Sequence, residues 1–182
     1  MVARSPKAHL FVVGAAALSA TTTQQRVTLG RVRPIVAPSV AKADFLALGN
    51  ELEACTAAGC DWLHCSVQDG VFVPKVSFGA PVVSAARKAC PSTVIDVKLG
   101  CIDPENRIAE FAAAGADAIS FHPEATKQPA AVAHKIRDAG VAPGIVLNPG
   151  TVVASVAPLL DIVDLAVVML VSPGYGGPKY LE

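Results

Sequence analysis

Between Pro34 and Val171 the chain alternates two patterns: short apolar, often β-branched runs, and stretches whose apolar residues recur every three or four positions. The first pattern suits buried strands and the second suits one face of a helix. Ile35–Ala37 predicts a strand that ends at Pro38-Ser39. Asp44–Ala58 predicts a helix, with Phe45, Leu48, Leu52 and Cys55 on one face and Gly59 as its stop. A strand at Trp62–Val67, a helix at Pro81–Ala89 and a strand at Val94–Leu99 follow. Asp103-Pro104 then opens another helix, the Asp as cap and the Pro in the first turn. Its buried stripe is Ile108, Phe111 and Ala112, and Gly115 ends it. Ala118–Phe121, Ile145–Leu147 and Leu165–Val171 complete the predicted strands, with helices at Pro129–Ala139 and Val152–Leu160 between them.

The punctuation recurs too. Ala58-Gly59-Cys60-Asp61, Ala114-Gly115-Ala116-Asp117 and Ala139-Gly140-Val141 each close a helix just before a strand. Strand starts fall about 26 residues apart, and such regular alternation predicts an α/β fold with a parallel sheet. An open doubly wound sheet and a closed (β/α)8 barrel share this period. No G-x-G-x-x-G follows the first strand, which favours the barrel. Residues 34–182 supply about six βα units where a closed barrel needs eight. The expectation is an incomplete barrel. Either further units come from elsewhere, or the chain is a truncated product, and exposed edges would favour a homo-oligomer.

Composition adds a boundary. The 182 residues are 52% hydrophobic and 16% charged, which excludes a disordered polymer. Fifteen basic and fifteen acidic residues give a net charge of zero. Residues 1–34 hold five of the basic residues (Arg4, Lys7, Arg26, Arg31, Arg33) and no acid, the first acid being Asp44. The remainder carries ten basic and fifteen acidic groups, net −5, a poor surface for nucleic acid. Residues 1–33 are basic, acid-free and rich in Ser and Thr, the composition of a plastid or mitochondrial transit segment. The apolar run Leu10–Leu18 also resembles a secretory signal, and the two can act in series. That run is too short to span a bilayer. A plastid stromal address is expected, with mitochondrial, secretory-route and cytoplasmic locations as alternatives. Five cysteines without a C-x-x-C pair predict reduced, buried thiols rather than a disulfide framework.

Six motifs then carry a resemblance. Val36-Ala37-Pro38-Ser39 is followed by His64 with Asp69-Gly70 and Phe72-Val73-Pro74, and by Asp96-Val97-Lys98-Leu99. Phe121-His122-Pro123-Glu124, Leu147-Asn148-Pro149-Gly150-Thr151 and Ser172-Pro173-Gly174-Tyr175-Gly176-Gly177 come next. In order and interval they resemble ribulose-phosphate 3-epimerases across residues 35–182. The resemblance implies a TIM-type barrel that interconverts D-ribulose 5-phosphate and D-xylulose 5-phosphate. This reaction belongs to the pentose phosphate pathway and the photosynthetic carbon cycle. It also implies two Asp acid/base groups and a divalent metal, usually zinc, held by a His and an Asp on the second strand, a His on the third and an Asp on the seventh.

Against that pattern, His64 matches the first metal ligand, Ser66 stands at the Asp position and Lys98 at the third-strand His position. The seventh-strand Asp lies beyond Glu182. The resemblance therefore implies no tightly bound metal here, since one imidazole cannot hold zinc against water. Ser39 and His64 match substrate-contacting positions, and Gly174, Tyr175, Gly176 and Gly177 match a phosphate-side loop. Gln68 and Gly100 replace two Met positions near the substrate. Alternation puts Trp62, His64 and Ser66 on one strand face, and Asp96 and Lys98 on another. Lys98 is the candidate catalytic residue, an ammonium able to stabilise an enediolate where the metal's charge would stand. The pair Asp96-x-Lys98 also resembles the D-x-K-x-x-D motif of the orotidine-phosphate decarboxylase group, although Cys101 replaces the last Asp. The competing expectations are a catalytically impaired pseudoenzyme or interaction module that binds sugar phosphate weakly, and a Lys98-dependent decarboxylase-like activity. His122 and Asn148 are further ligand candidates; Cys65, Cys101 and Trp62 read as core, and His134 as solvated.

Overall fold

In the computed structural model, which describes residues 34–174 and the backbone of Val13–Gly14, every parallel strand pairs with the one before it in the chain. The strands are β2 (Trp62–Gln68), β3 (Val94–Gly100), β4 (Ala118–Phe121), β5 (Ala142–Leu147) and β6 (Leu165–Val168). A doubly wound sheet reverses its order at a switch point; this one does not. Right-handed crossovers in unbroken order put all the helices on one face, as in a barrel wall. The pairing thus separates the two architectures that the period left open. The short strand β1 (Val13–Gly14) lies antiparallel to β6, Val13 opposite Val167.

The two faces differ in chemistry. Leu63, Cys65, Val67, Ile95, Val97, Leu99, Ile119, Phe121 and Ile145 point towards the helices and join Leu52, Val83, Phe111 and Ile136 in the main core. A smaller cluster of Val146, Leu165, Val167 and Met169 lies apart from it, with Trp62 partly buried against it. Between strands the register aligns His64 with Asp96, and Ser66 with Lys98, Ser120 and Gly144. The inner face is therefore polar along β2 to β4 and apolar along β6.

The helices are α1 (Leu48–Ala57), α2 (Ala80–Ala89), α3 (Ile108–Ala113), α4 (Pro129–Asp138) and α5 (Val153–Val156). The repeated stops work as the sequence suggests: Gly59, Gly115 and Gly140 have φ of 89°, 98° and 78°. The Asp residues that follow the first two, Asp61 and Asp117, do more than the pattern implied. The N–H of Asp61 and that of Asp117 each donate to a carbonyl of the preceding extended segment, Val36 and Ile95, both at 2.9 Å. Their carboxylates then accept from the N–H groups of those same residues, at 2.9 and 2.8 Å. Each Asp clamps the start of one strand to its predecessor.

Several expectations need correction. Ile35–Ala37 is extended but not a ladder strand; it follows β2 through single bonds such as His64 N to Pro38 O, 3.0 Å. Pro34 and Pro38 lack the N–H groups a ladder needs. Asp44 caps a 3-10 turn at Phe45–Ala47, accepting from Leu46 N at 2.9 Å, so Phe45 leaves the α1 face and stays half-exposed. Asp103 makes no side-chain cap; it adopts a left-handed φ of 48°. The expected helix at 152–160 is one α turn followed by a 3-10 turn, because Pro158 removes a helical N–H. Strand β5 begins at Ala142, three residues early, since Pro143 and Gly144 conceal it. Strand β6 ends at Val168, not Val171.

Candidate functional site

The polar residues His64, Asp96, Lys98 and Ser120 line the inner face of β2 to β4, and His122 follows the C-terminal end of β4. His64 and Asp96 are both buried, and Nδ1–H of the imidazole donates to Oδ2 of the carboxylate at 2.7 Å. Asp96 and Lys98 share a strand face as expected, and the Asp96 carboxylate is engaged by His64. Ser39 forms an isolated parallel bridge with His64, which brings that predicted contact residue to the same edge.

Lys98 lies one inward position beyond Asp96 and is 5% exposed. Its Nζ donates to the thioether of Met169 at 3.7 Å. Burial holds the ammonium below its ordinary pKa, and the charge of Asp96 opposes that shift only in part. Across β4, Ser120 and His122 are fully buried. The His122 ring stacks at an angle on Phe72, centroids 4.9 Å apart. Burial first, and the Lys98 charge second, push the His122 pKa down to about 3, against an opposing pull from the Asn148 side chain. This imidazole is neutral across the physiological range.

The loop after β2 completes this side of the site. Asp69 Oδ1 accepts from the N–H groups of Val71 and Phe72, both at 2.9 Å, and Oδ2 accepts from Ile102 at 2.8 Å. Partial burial raises the Asp69 pKa, but these donors outweigh it and hold the carboxyl below the usual range. Asp69 thus holds Phe72 over His122. Gly174, the last described residue, has φ 83°, and a Cβ there would stand 2.8 Å from Val73 Cβ. It therefore packs directly on the same loop. Tyr175, Gly176 and Gly177 lie outside the described residues.

Sequence reasoning singled out His64, Asp96, Lys98, His122 and Ser39, and the structure gathers them at one face. It missed Ser120, Met169 and the loop-holding role of Asp69. The first was legible, since Ser120 on β4 alternates with His122 just beyond it; the other two are long-range contacts with no local signal. Cys65 and Cys101 are core residues, and burial raises their pKa values to about 12 and about 11, which leaves them inert thiols. His134 is exposed on α4.

A parallel wall of consecutive βα units, with a buried His, Asp and Lys on its inner face, has the build of a barrel protein. The ribulose-phosphate 3 epimerase family model matches residues 35–182, and the chain belongs to that family. It is 41% identical over 150 residues to the chloroplastic ribulose-5-phosphate-3-epimerase of Arabidopsis thaliana, covering 81% of this chain and 53% of that protein. The ribulose-phosphate 3-epimerase of Rhodobacter capsulatus is 43% identical over 147 residues, covering 81% of this chain and 64% of that one. The chain thus spans between half and two thirds of the length of these relatives. Among solved structures, KGPDC from Streptococcus mutans superposes with a TM-score of 0.52 at 19% identity, covering 75% of this chain and 62% of that one. A 3-hexulose-6-phosphate synthase gives 0.52 at 17%, covering 72% and 64%. These likenesses bear on the fold alone.

The metal that the family implies can be tested against these residues. Among the described residues no three His, Cys, Asp or Glu side chains are grouped so as to hold a metal ion. Next to His64 stand a neutral hydroxyl at Ser66 and a cation at Lys98, and a buried ammonium repels a divalent ion. The described residues do not fit zinc.

Proposed function

We propose that the chain acts on pentulose 5-phosphates and interconverts D-ribulose 5-phosphate and D-xylulose 5-phosphate at the inner face of β2 to β5. The observation that carries this reading is the family match along residues 35–182, whose motifs fall at the strand ends. Inverting the carbon beside a ketone needs a positive centre near the developing oxyanion. Lys98 supplies that charge here, and His64 held by Asp96, with Ser39 beside it, lines the approach. Gly174, Tyr175, Gly176 and Gly177 match the family's phosphate-side motif in sequence, a segment type in which glycines let N–H groups approach oxygens. No tight divalent metal takes part.

The address proposed is the plastid stroma, with residues 1–33 as transit segment and 34–182 as the barrel unit. The chloroplastic Arabidopsis relative and the basic, acid-free start support it. The reaction then serves the photosynthetic carbon cycle as well as the pentose phosphate pathway. Self-association through the strand edges is part of the same reading. A second reading, sugar-phosphate binding without turnover, draws on Ser66 and Lys98 at two ligand positions. Coupled turnover of D-ribulose 5-phosphate by the full chain, with and without chelator, separates the two. Chelator-resistant formation of D-xylulose 5-phosphate is the expected result. Ligand binding without product would establish the second reading and overturn the first.

A further inference from the structure

Lys98 is buried in a way that electrostatics alone does not explain. Among the described residues it makes no ion pair, and the neighbour of its Nζ is a thioether, 3.7 Å away. A thioether is a weak acceptor and does not offset the loss of water around an ammonium. Asp96 is the near carboxylate on the same strand face, and its Oδ2 is committed to His64. Such a pocket eases loss of a proton from the ammonium to give the amine, the form of lysine that is a nucleophile. Burial does lower the Lys98 pKa, in agreement with this placement.

The surroundings point to a ligand with several oxygens. Asp96 Oδ1 and Ser120 Oγ are buried and have no hydrogen-bond partner among the described residues, and the buried ring nitrogens of His122 and Asn148 Oδ1 have none beyond the contact of those two side chains with each other. Ser120 is paired directly across from Lys98, and His122 lies two residues further on the same strand face. Buried polar atoms normally find partners, so this many orphans around one amine mark a place for polar ligand atoms. A keto group flanked by hydroxyls matches them.

We propose that Lys98 forms a protonated imine with the C2 carbonyl of a ketose phosphate, so that a covalent adduct supplies the electron sink of the reaction. This rests on the pentulose phosphate reading above for the identity of the ligand. In the net step the Nζ lone pair forms the new bond to C2 and the C2=O bond breaks. One of the three ammonium protons passes to the carbonyl oxygen as that lone pair is freed, a second leaves with the oxygen as one water, and the third stays on the imine nitrogen. No oxidant or co-reactant enters, and water reverses the step. The positive nitrogen bound to C2 then acidifies C3–H: the C–H electron pair becomes the C2–C3 bond of an enamine, the C=N pair moves onto nitrogen, and the proton passes to Asp96 Oδ1, which has no other partner among the described residues.

The test is reductive trapping. The full chain is incubated with D-ribulose 5-phosphate and sodium cyanoborohydride, then measured by intact mass and peptide mapping. The expected result is a saturable adduct of one per chain, at the mass of the sugar phosphate less one oxygen, on the peptide holding Lys98. The exposed Lys42 and Lys88 stay unlabelled, and Lys98→Arg abolishes the adduct. The wild-type peptide map stands even if that variant misfolds. Epimerisation without an adduct at Lys98 would overturn the imine and leave the proposed activity intact. An adduct without epimerisation would uphold the imine and count against the activity. Labelling spread over exposed lysines, or no labelling at all, would overturn the imine.

Discussion

His64 Nδ1 and Asp96 Oδ2 stand 2.7 Å apart at directly opposed positions of β2 and β3, and both residues are buried. Removing one member of a buried pair strands the other without water, at a cost of about 3 kcal/mol. Asp96→Ala should therefore lower unfolding stability by roughly that amount in urea titration. The exposed helical pair Arg107–Glu110, 3.6 Å apart, serves as control, and Glu110→Ala should cost no more than about 0.5 kcal/mol. Equal losses would show that the buried pair has no special weight.

A pH dependence follows from His122. Its folded pKa of about 3 lies below the ordinary histidine value, so in the acid range the unfolded chain binds the extra proton. Stability contributed by the neutral ring is complete above the unfolded pKa, about 6.5, and is lost as pH falls from there towards 3. One proton corresponds to a slope of at most about 1.4 kcal/mol per pH unit. His122→Gln should flatten the acid limb relative to wild type by up to this slope. Superimposable limbs would contradict the buried neutral ring.

Gly174 tests the link between the loop after β2 and the far end of the wall. A side chain there meets both a positive φ and the Cβ of Val73 at 2.8 Å. Gly174→Ala should cost about 1–2 kcal/mol through strain and overpacking. It should also perturb the Phe72 and His122 ring resonances in NMR. Unshifted resonances would mean that the contact does not hold the loop.

The metal argument can be run in reverse. The double substitution Ser66→Asp with Lys98→His restores the two ligand types that the family resemblance places beside His64. Zinc affinity by calorimetry should rise at least roughly tenfold over the unsubstituted chain. No gain would mean that the backbone, rather than the two side chains, disfavours the ion.

Much of this was legible in the sequence, because helix period, Ala-Gly stops and strand alternation are local signals. Strands β3 and β4 fall within a residue of their expected places for that reason. The barrel wall itself needed the pairing order, which is non-local. Errors sit where proline intervenes, at Pro34–Pro38, Pro143 and Pro158, since a missing N–H changes which bonds are available. At the site, motif positions identified His64 and Lys98, but the partners of both are long-range: Asp96 is 32 residues from His64 and Met169 is 71 from Lys98. Spacing along a chain does not encode such contacts.

The central claim is that this family member holds no cation at its strand-end site and works with Lys98 in its place. Elemental analysis of the full chain, purified in zinc-supplemented medium and dialysed, tests it most directly. The account predicts far less than one zinc per chain and no change on His64→Ala. One zinc per chain, lost on that substitution, would contradict it.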